Sequence, residues 1–438
     1  MAAASELPAP VEARAFSEPS AESVLLGRDL FFDPVLSGNR NISCATCHNP
    51  SLAGGDEMSL SIGEGGIGLG ARRMADPLNH PEARIPRNAP SLFNLGAAEF
   101  STLFHDGRTM RDAAAPHGIR MPPDFTLERP VRSLLAAQAL LPITSHDEMA
   151  GQPGENPVAD AVARGAIHGP EGAWQMLADR IAAIPAYRQR FAWLKGSEDP
   201  LHITDIGNAI GDFIAFEFRS TDSAFDRFLR GDDTAMSNTQ LRGMSLFYGK
   251  AECATCHAGP FQTDHAFHSL GLPPIGPGKG HGPSGYADHG RFAVTGREAD
   301  LYRFRTPSLR NVTLTAPYGH NGAYARLDDM IRHHLDPLTM LAEYDVSKAR
   351  LHALGFELRT PDTAALDDFD EMLRIAISVS IAPVRLAEDE IVAITAFLEA
   401  LEDPEAHPGR LGPPASVPSG LPLDVAESAT PGLELAGN

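Results

Sequence analysis

The chain has 438 residues, of which 43% are hydrophobic, enough for two or three globular domains with sizeable cores. Its formal net charge is −21, and the acidic residues are scattered rather than clustered, so a nucleic-acid partner is not expected. An acidic surface keeps a protein soluble and can also attract a basic redox partner. No apolar run is long enough for a membrane span, so none is predicted.

The first predicted elements belong to a weak internal repeat. Leu-x-Gly, then Leu-Phe-aromatic, then a cysteine pair occur in both LLGRDLFFDPVLSGNRNISCATCH and LRGMSLFYGKAECATCH. This pattern predicts two copies of one unit, in which a helix leads into a cysteine motif.

Apolar spacing predicts further helices between and after the two copies. A helix is expected over residues 203–218, then a linker rich in Gly, Asp and Ser over 219–237, and a closing helix over 391–401. The Gly- and Pro-rich stretches 63–90 and 271–290 are expected to be ordered loops around a site. Because strand patterns are few, we predict a mainly α protein with long loops, divided into an N-terminal domain over 20–230, a C-terminal domain over 231–402 and a Pro/Gly-rich tail over 403–438.

All four cysteines lie in two identical pentapeptides, Cys-Ala-Thr-Cys-His. Two such pairs could hold zinc, and one pair could be a dithiol redox centre, but neither use needs a histidine directly after the second cysteine. Covalent haem attachment uses every residue, since both cysteines form thioethers and the histidine binds the iron. We therefore expect two c-type haems attached through Cys44, Cys47, Cys253 and Cys256, with His48 and His257 as proximal ligands.

The N-terminal residues carry neither the cationic start nor the apolar core of a secretion signal. Haem attachment to this motif is normally completed outside the bacterial inner membrane. The motif therefore favours a periplasmic protein whose signal has been removed from this sequence.

Seven segments resemble, in the same order, those of the bacterial dihaem cytochrome c peroxidases and the related MauG enzymes. They are LFFDPVLSGNRNISCATCHNP, RNAPSLFNL, LFHDGR, LLPITSHDEM, SAFDRFLRGD, CATCHAGPF and FRTPSLRNVTLTAPYGHNG. The resemblance implies two cytochrome c-like haem domains. The N-terminal haem would be peroxidatic, the C-terminal haem would transfer electrons, and a calcium ion would lie between the domains.

The resemblance also implies roles for individual residues. Glu148 matches the family's distal acid, which can take a proton from H2O2 and return it to the leaving oxygen, and Gln138 matches its partner amide. Asn88, Thr315 and Pro317 match the calcium site, where neutral oxygens hold a hard cation. Without the resemblance, Glu148 would be a solvated surface residue, Gln138 a helix-surface residue and the three others parts of ordinary turns.

Three more residues bear on the haem sites. His80 stands at the spacing of a histidine that blocks the peroxidatic haem in reductively activated members, and it is otherwise a loop residue. His105 stands where most members have tryptophan, either as a proton-coupled relay or as a hydrogen-bonded structural residue. Arg305 is expected to hold a haem propionate or a structural carboxylate.

The sixth ligand of the second haem is expected to be His334. It follows His320 at the spacing where the peroxidases carry methionine and MauG carries tyrosine. It shares one helical stripe with Leu327, Met330 and Ile331. The neighbouring His333 is rotated by about 100° from this stripe. Bis-histidine coordination would give a low-spin haem of lower potential than methionine ligation gives.

The sequence thus predicts a periplasmic peroxidase that reduces H2O2 to water. A small donor, such as a cytochrome c or a cupredoxin, would supply electrons through the C-terminal haem. One alternative is a MauG-like oxidase that modifies a protein substrate, and another is a non-catalytic dihaem electron carrier. Glu148 disfavours the carrier, which needs no distal acid. The sequence leaves a homodimer open.

Overall fold

The protein is described here by a computed structural model, which covers residues 7–356, 358 and 360–424. These residues are mainly helical, as predicted, with short strands and long irregular segments. None of the helices in the described ranges is long and apolar enough to cross a membrane.

Several helices of the N-terminal half begin at polar caps. Ser20, Ser133 and Asn156 each accept a backbone hydrogen bond at the start of a helix, which satisfies a free N–H group there. The helices are α1 (Ala21–Phe32), α2 (Cys44–Cys47), α3 (Leu134–Gln138), α4 (Pro157–Ala163), α5 (Ala173–Ala182), α6 (Pro185–Lys195), α7 (Ile203–Glu217) and α8 (Ala224–Leu229).

The C-terminal half has a second set of helices and its own apolar core. Its helices are α9 (Asn238–Phe247), α10 (Phe292–Thr295), α11 (Leu327–Leu335), α12 (Pro337–Ala342), α13 (Phe369–Ser378) and α14 (Glu388–Glu399). The predicted helix over 203–218 is confirmed as α7. The predicted closing helix is confirmed as α14, which begins earlier than expected because its acidic first turn is already helical.

Within the described residues, the strands are two or three residues long and form three small antiparallel sheets. One sheet pairs β1 (Gly66–Ile67) with β2 (Met74–Ala75), the second contains β3 (Thr102–Leu103), β4 (Thr109–Arg111) and β5 (Ile119–Arg120), and the third pairs β6 (Phe267–His268) with β7 (Phe304–Arg305).

The first copy of the repeat packs at a glycine. Helix α1 crosses α7 at Gly27, where a Cβ atom would lie 1.9 Å from the carbonyl oxygen of Ala209 and 2.9 Å from Cβ of Phe213. The ring of Phe31 packs on Phe213 with the centroids 5.1 Å apart. The two backbones can approach this closely only because position 27 has no side chain.

The second copy packs in the same way. Helix α9 crosses α14 at Gly243, where a Cβ atom would lie 1.8 Å from the carbonyl oxygen of Ala393 and 2.9 Å from Cβ of Phe397. The ring of Phe247 packs on Phe397 with the centroids 5.1 Å apart. The repeated Leu-x-Gly and Leu-Phe-aromatic pattern thus encodes one helix crossing used twice.

The prediction of a linker over 219–237 is wrong for α8, which lies inside it. Phe225 is fully buried in the C-terminal core, and Asp226 forms an ion pair with Arg310 at 2.6 Å with both side chains fully buried. Arg310 also donates two hydrogen bonds to the carbonyl oxygen of Pro260, just after the second cysteine motif. A long-range ion pair therefore holds this polar segment as a helix.

The described part of the predicted tail, residues 403–424, packs on the N-terminal half. The hydroxyl of Ser419 donates to Asp33 at 2.7 Å. The hydroxyl of Thr46, within the first cysteine motif, donates to the carboxylate of Asp424 at 2.5 Å. The chain therefore ends its described course beside the first motif.

A buried ion-pair network joins the two halves. Arg87 donates two hydrogen bonds to the Asp288 carboxylate, at 2.6 and 2.8 Å, and a third to Asp106 at 2.6 Å. Burial works against the ionised form of Asp288, but the Arg87 guanidinium holds the pKa of that carboxyl well below its usual range. From the C-terminal half, Arg291 donates to the carbonyl oxygen of Asp106 at 3.0 Å. The network thus contains groups from both halves.

The Gly- and Pro-rich stretch 63–90 is an ordered loop, as expected, and the C-terminal half holds it. Arg84 donates to the carboxylate of Asp362 at 2.9 Å. Just before the stretch, the backbone N–H of Ser59 donates to the carbonyl oxygen of Arg350 at 3.0 Å.

We predict that Gly243→Ala lowers the stability of the protein, because the new methyl group would collide with backbone of α14. Overpacking of this kind costs about 1–3 kcal/mol. Thermal unfolding should show a lower Tm than that of wild type. The control is Ser245→Ala, at an exposed position of the same helix, and it should be close to neutral. Equal melting temperatures for the two variants would contradict the close helix crossing.

Candidate functional site

The two cysteine motifs form tight helical turns with the same hydrogen bond at the histidine. Nδ1 of His48 lies 3.1 Å from the carbonyl oxygen of Gly54, and Nδ1 of His257 lies 3.1 Å from that of Gln262. A carbonyl oxygen can only accept, so Nδ1 carries the hydrogen in both rings. The lone pair of Nε2 is then available to a metal ion.

Burial keeps the groups of both motifs uncharged. It lowers the pKa of His48, and together with the nearby His334 it lowers the pKa of His257 to about 4. Burial also raises the pKa of Cys44 and Cys253 to about 12. Neutral imidazoles and apolar surroundings are suited to an apolar cofactor held through its iron.

A cavity of about 530 Å³ opens beside the second motif. Cys253, Cys256 and His257 line it, and most of the remaining lining is apolar. Helices α9, α11 and α14 contribute to its walls, and residues of the N-terminal half, among them Phe93 and His105, also line it. The cavity brings the attachment residues of one haem together with space for a large apolar group.

His334 enters this cavity from α11, opposite His257. The two ring centroids lie 6.3 Å apart, with an angle of 57° between the ring planes. Two imidazoles bound to one metal ion through bonds of roughly 2 Å have their centroids about 6 Å apart. Nδ1 of His334 donates to the carbonyl oxygen of Met330 at 2.9 Å, which leaves Nε2 for a metal. The spacing of the two rings therefore matches that of two axial ligands.

The neighbouring His333 is fully buried, and the protein uses both of its ring nitrogens. Nε2 donates to the carbonyl oxygen of Leu270 at 2.8 Å, and Nδ1 accepts from the hydroxyl of Tyr324 at 2.9 Å. Leu270 itself lines the cavity. His333 thus joins α11 to two other segments and has no nitrogen left for a metal.

Arg305 lines the same cavity as a buried cation. Its guanidinium donates to the carbonyl oxygens of Phe104 and Thr306, both at 3.2 Å, and forms no ion pair within the described residues. Burial lowers the pKa of Arg305 to about 10, so the group stays charged at neutral pH. A buried cation without a carboxylate partner is suited to an anionic group of a bound cofactor.

Glu148 lies in a π-helical turn over His146–Ala150, a type of turn that is frequent at functional sites. The turn packs against the loop that follows the first motif. A Cβ atom at Gly63 would lie 2.1 Å from the carbonyl oxygen of Asp147 and 2.9 Å from Cα of Glu148. The next N–H group, of Glu64, donates to the Asp147 oxygen at 2.9 Å. These contacts fix the backbone of Glu148.

Charges around Glu148 bear on its protonation. Burial raises the pKa of this carboxyl, the positive charges of Arg108 and Lys279 oppose the rise, and Asp147 adds to it. The carboxylate is also within electrostatic reach of the first motif, since it contributes, after burial and Asp56, to the raised pKa of Cys47. Glu148 is therefore a protonatable group beside the first motif.

Sequence reasoning did not find these two cations. Arg108 closes the LFHDGR segment, so its motif offered a signal. Lys279 lies in the Gly/Pro-rich loop of the other half, where no local pattern pointed to it. Gln138 is buried at the end of α3, but no hydrogen bond joins it to Glu148 in the described part of the chain.

The predicted calcium residues meet at a boundary between the halves. Asn88 and Thr315 line a small cavity of about 10 Å³, enough for one water-sized particle, and Pro317 lines the larger cavity next to it. The side chain of Asn88 donates from Nδ2 to the carbonyl oxygen of Met58 at 2.8 Å, so Oδ1 remains as an acceptor. The oxygen-rich lining is suited to a hard cation.

Asp56 lines the same small cavity and was missed by sequence reasoning. Its side chain is buried, and Oδ2 has no hydrogen-bond partner among the residues described. Burial raises the pKa of Asp56 to about 6. The only sequence signal is its place in GGDE, shortly after the first motif.

The two other histidines singled out in the sequence, His80 and His105, have different surroundings. His80 is exposed, with its ring packed against Phe356 at 4.8 Å between centroids, so ligation of the first haem would require its loop to move. His105 lies 3.2 Å, through Nε2, from the carbonyl oxygen of Asn88. Burial and the charge of Arg87 lower the pKa of His105 to about 4. This environment matches the structural alternative for His105.

Comparisons with known proteins agree with this site. The sequence profile of a family described as di-haem cytochrome c peroxidase matches residues 21–234. The chain is 31% identical over 315 residues to the methylamine utilization protein MauG of Methylorubrum extorquens, covering 72% of this chain and 69% of that protein. It is 32% identical over 308 residues to the cytochrome c551 peroxidase of Pseudomonas aeruginosa, covering 70% of this chain and 69% of that protein.

A solved structure supports the same relationship. The crystal structure of a MauG-like protein associated with microbial copper homeostasis aligns with a TM-score of 0.57 and 26% identity, covering 93% of this chain and 95% of that one. Membership of a di-haem family implies two c-type haems, and both attachment motifs are present. The chain therefore belongs to the family of di-haem cytochrome c peroxidases and MauG proteins.

Proposed function

We propose that this protein is a periplasmic peroxidase that reduces H2O2 to water, with one c-type haem in each of two cytochrome c-like domains. The observation that carries the proposal is the position of Glu148. It is an acid with a raised pKa, held by a fixed turn within electrostatic reach of Cys47. A protein that only carries electrons has no use for such a group.

In the N-terminal site, His48 would hold the haem through Nε2. The bound haem would supply the two electrons that cleavage of the O–O bond consumes. Glu148 would accept a proton from one oxygen of H2O2 and deliver it to the other, which could then leave as water. Arg108 and Lys279 favour the carboxylate form of Glu148, which is the form needed before the first proton transfer and restored by the second.

In the C-terminal site, His257 and His334 would hold the second haem, each through Nε2. The 6.3 Å between their rings and the two hydrogen bonds at Nδ1 support this assignment. Arg305 would hold an anionic group of the same haem through a charge-assisted hydrogen bond. Electrons enter here from a small donor, such as a cytochrome c or a cupredoxin.

A calcium ion at the boundary between the halves is part of the proposal. Asn88, Thr315 and Pro317 would supply its neutral oxygen ligands, and Asp56 would supply a nearby negative charge. The buried, unpartnered oxygen of Asp56 supports a cation at this place, because an isolated buried carboxylate is costly.

A second candidate function is that of a MauG-like oxidase acting on a protein substrate. It is favoured by the 31% identity to MauG and by the similarity to the MauG-like protein associated with copper homeostasis. Rapid mixing with H2O2 and a reduced donor separates the candidates. Fast oxidation of the donor indicates the peroxidase, a persistent oxidised state without donor turnover indicates the oxidase, and unreactive haems indicate a carrier.

We predict that Glu148→Gln retains both haems but slows the reaction with H2O2 by about 10²- to 10⁴-fold, because a positioned acid-base group contributes that much. The measurement is the stopped-flow rate constant at increasing H2O2 concentration. The control is Glu82→Gln, which removes an exposed carboxylate near the same turn and should react like wild type. Unchanged kinetics for Glu148→Gln would remove Glu148 from the mechanism and favour a carrier.

We predict that His334→Met raises the potential of the second haem, since axial ligands move haem potentials within a range of about 0.8 V. The variant should also gain the thioether charge-transfer band at the red end of its ferric spectrum. Potentiometry and absorption spectra test both effects. If wild type already shows the band, or if His334→Ala leaves the second haem six-coordinate and unchanged, another residue binds the iron.

A third variant tests how α11 positions its ligand. Tyr324→Phe removes the hydroxyl that donates to His333, a hydrogen bond with a net contribution of about 0.5–1.5 kcal/mol. We expect a roughly 2- to 10-fold rise in the fraction of the second haem that binds carbon monoxide when reduced. Tyr344→Phe is the control, because the Tyr344 hydroxyl donates to Ala323 instead. Equal carbon monoxide binding by both variants would leave Tyr324 without a positioning role.

A further inference from the structure

Helix α13 carries an apolar stripe that faces solvent. Phe369, Leu373 and Ile377 are 77%, 46% and 75% exposed. They occupy positions i, i+4 and i+8, so they lie on one side of the helix. Single exposed apolar residues are common on protein surfaces, but three in one row form a continuous patch.

The opposite side of α13 is packed into the protein. Ile375 is buried with Tyr302 and Leu341, and Met372 and Ala376 pack against the same cluster. The helix is therefore held by its own core contacts. Its exposed stripe is a stable feature of the surface and does not depend on a partner for its fold.

The stripe lies beside the cavity of the second motif. Ile375 lines this cavity, and so do Ser380, Ile381, Ala382 and Val384 after the helix. Ala382 is also exposed, so the cavity lies close to the surface there. A protein bound on the stripe would therefore lie within about one helix diameter, roughly 10 Å, of the cavity.

The size of the stripe indicates a transient partner. Three side chains offer much less than the roughly 800 Å² per partner that a stable interface buries, whereas electron-transfer complexes are smaller. The exposed carboxylates of Asp367 and Asp370 stand beside the stripe, on a chain of net charge −21. The exposed cation of this helix, Arg374, is paired with Glu371 at 2.9 Å. An acidic surface around an apolar patch is complementary to an apolar patch surrounded by basic residues.

We propose that the exposed stripe of α13 is the docking surface for a small electron-donor protein whose own apolar patch is surrounded by lysines. This inference rests on the proposed function, in which electrons enter at the second haem. It adds the place of entry and the surface chemistry of the donor.

The test uses the holoenzyme and a small basic c-type cytochrome. The double variant Phe369→Ser/Ile377→Ser should lower the second-order rate constant for oxidation of the reduced cytochrome at least 10-fold. It should also weaken calorimetric binding of the oxidised cytochrome at least 10-fold, a readout that needs no turnover. Asp370→Lys should weaken both at low salt, and wild-type binding should itself weaken as salt is raised.

The matched control is Leu78→Ser, which removes a 96% exposed leucine from the N-terminal half and should change neither quantity. Oxidation of a small peroxidase dye should proceed at the same rate in all variants. If wild type did not oxidise the dye, the proposed function would be refuted, and the binding measurement would still test the docking surface. If the double variant bound the oxidised cytochrome as tightly as the Leu78→Ser variant does, the proposed docking surface would be refuted. A wild-type dimer that the double variant turns into a monomer would also overturn it, because a second copy would then cover the stripe.

Discussion

Each of the three imidazoles proposed to bind iron donates its Nδ1 hydrogen to a backbone carbonyl oxygen. This one type of contact determines which nitrogen can bind a metal and how the ring is turned. For His48 and His257 the acceptors, Gly54 and Gln262, lie in the loop after the motif, so motif and loop must fold together. For His334 the acceptor is in its own helix, so the position of α11 sets the position of the ring.

The ion-pair network around Arg87 connects the two proposed haem sites. Asp288 lines the cavity of the second motif, and Asp106 also binds Arg108, one of the cations that acts on Glu148. A buried charge that loses its partner is strongly destabilising, so the network is maintained as a whole. One ion-pair network therefore includes Asp288, which lines the cavity of the second motif, and Arg108, which acts on Glu148 near the first motif.

Local sequence patterns predicted those features that neighbouring residues determine. Helices α7 and α14 could be predicted from their apolar periodicity, and the haem motifs from the spacing of their cysteines and histidines. His334 was chosen over His333 because it lies on the apolar stripe of its helix. The linker prediction failed because Asp226 is held by Arg310, which is distant in sequence. Lys279 and Asp56 were missed for the same reason. Lys279 acts on Glu148 of the other half, and Asp56 shares a cavity with Thr315 of the other half.

Residues 403–424 lie across the N-terminal half and place Asp424 on the hydroxyl of Thr46, inside the first cysteine motif. This segment lies far from the first motif in sequence, so it covers the motif only when the chain folds. In the unfolded chain the first motif is therefore open. A system that attaches a cofactor there can act before folding, and the packing of residues 403–424 then covers the modified segment.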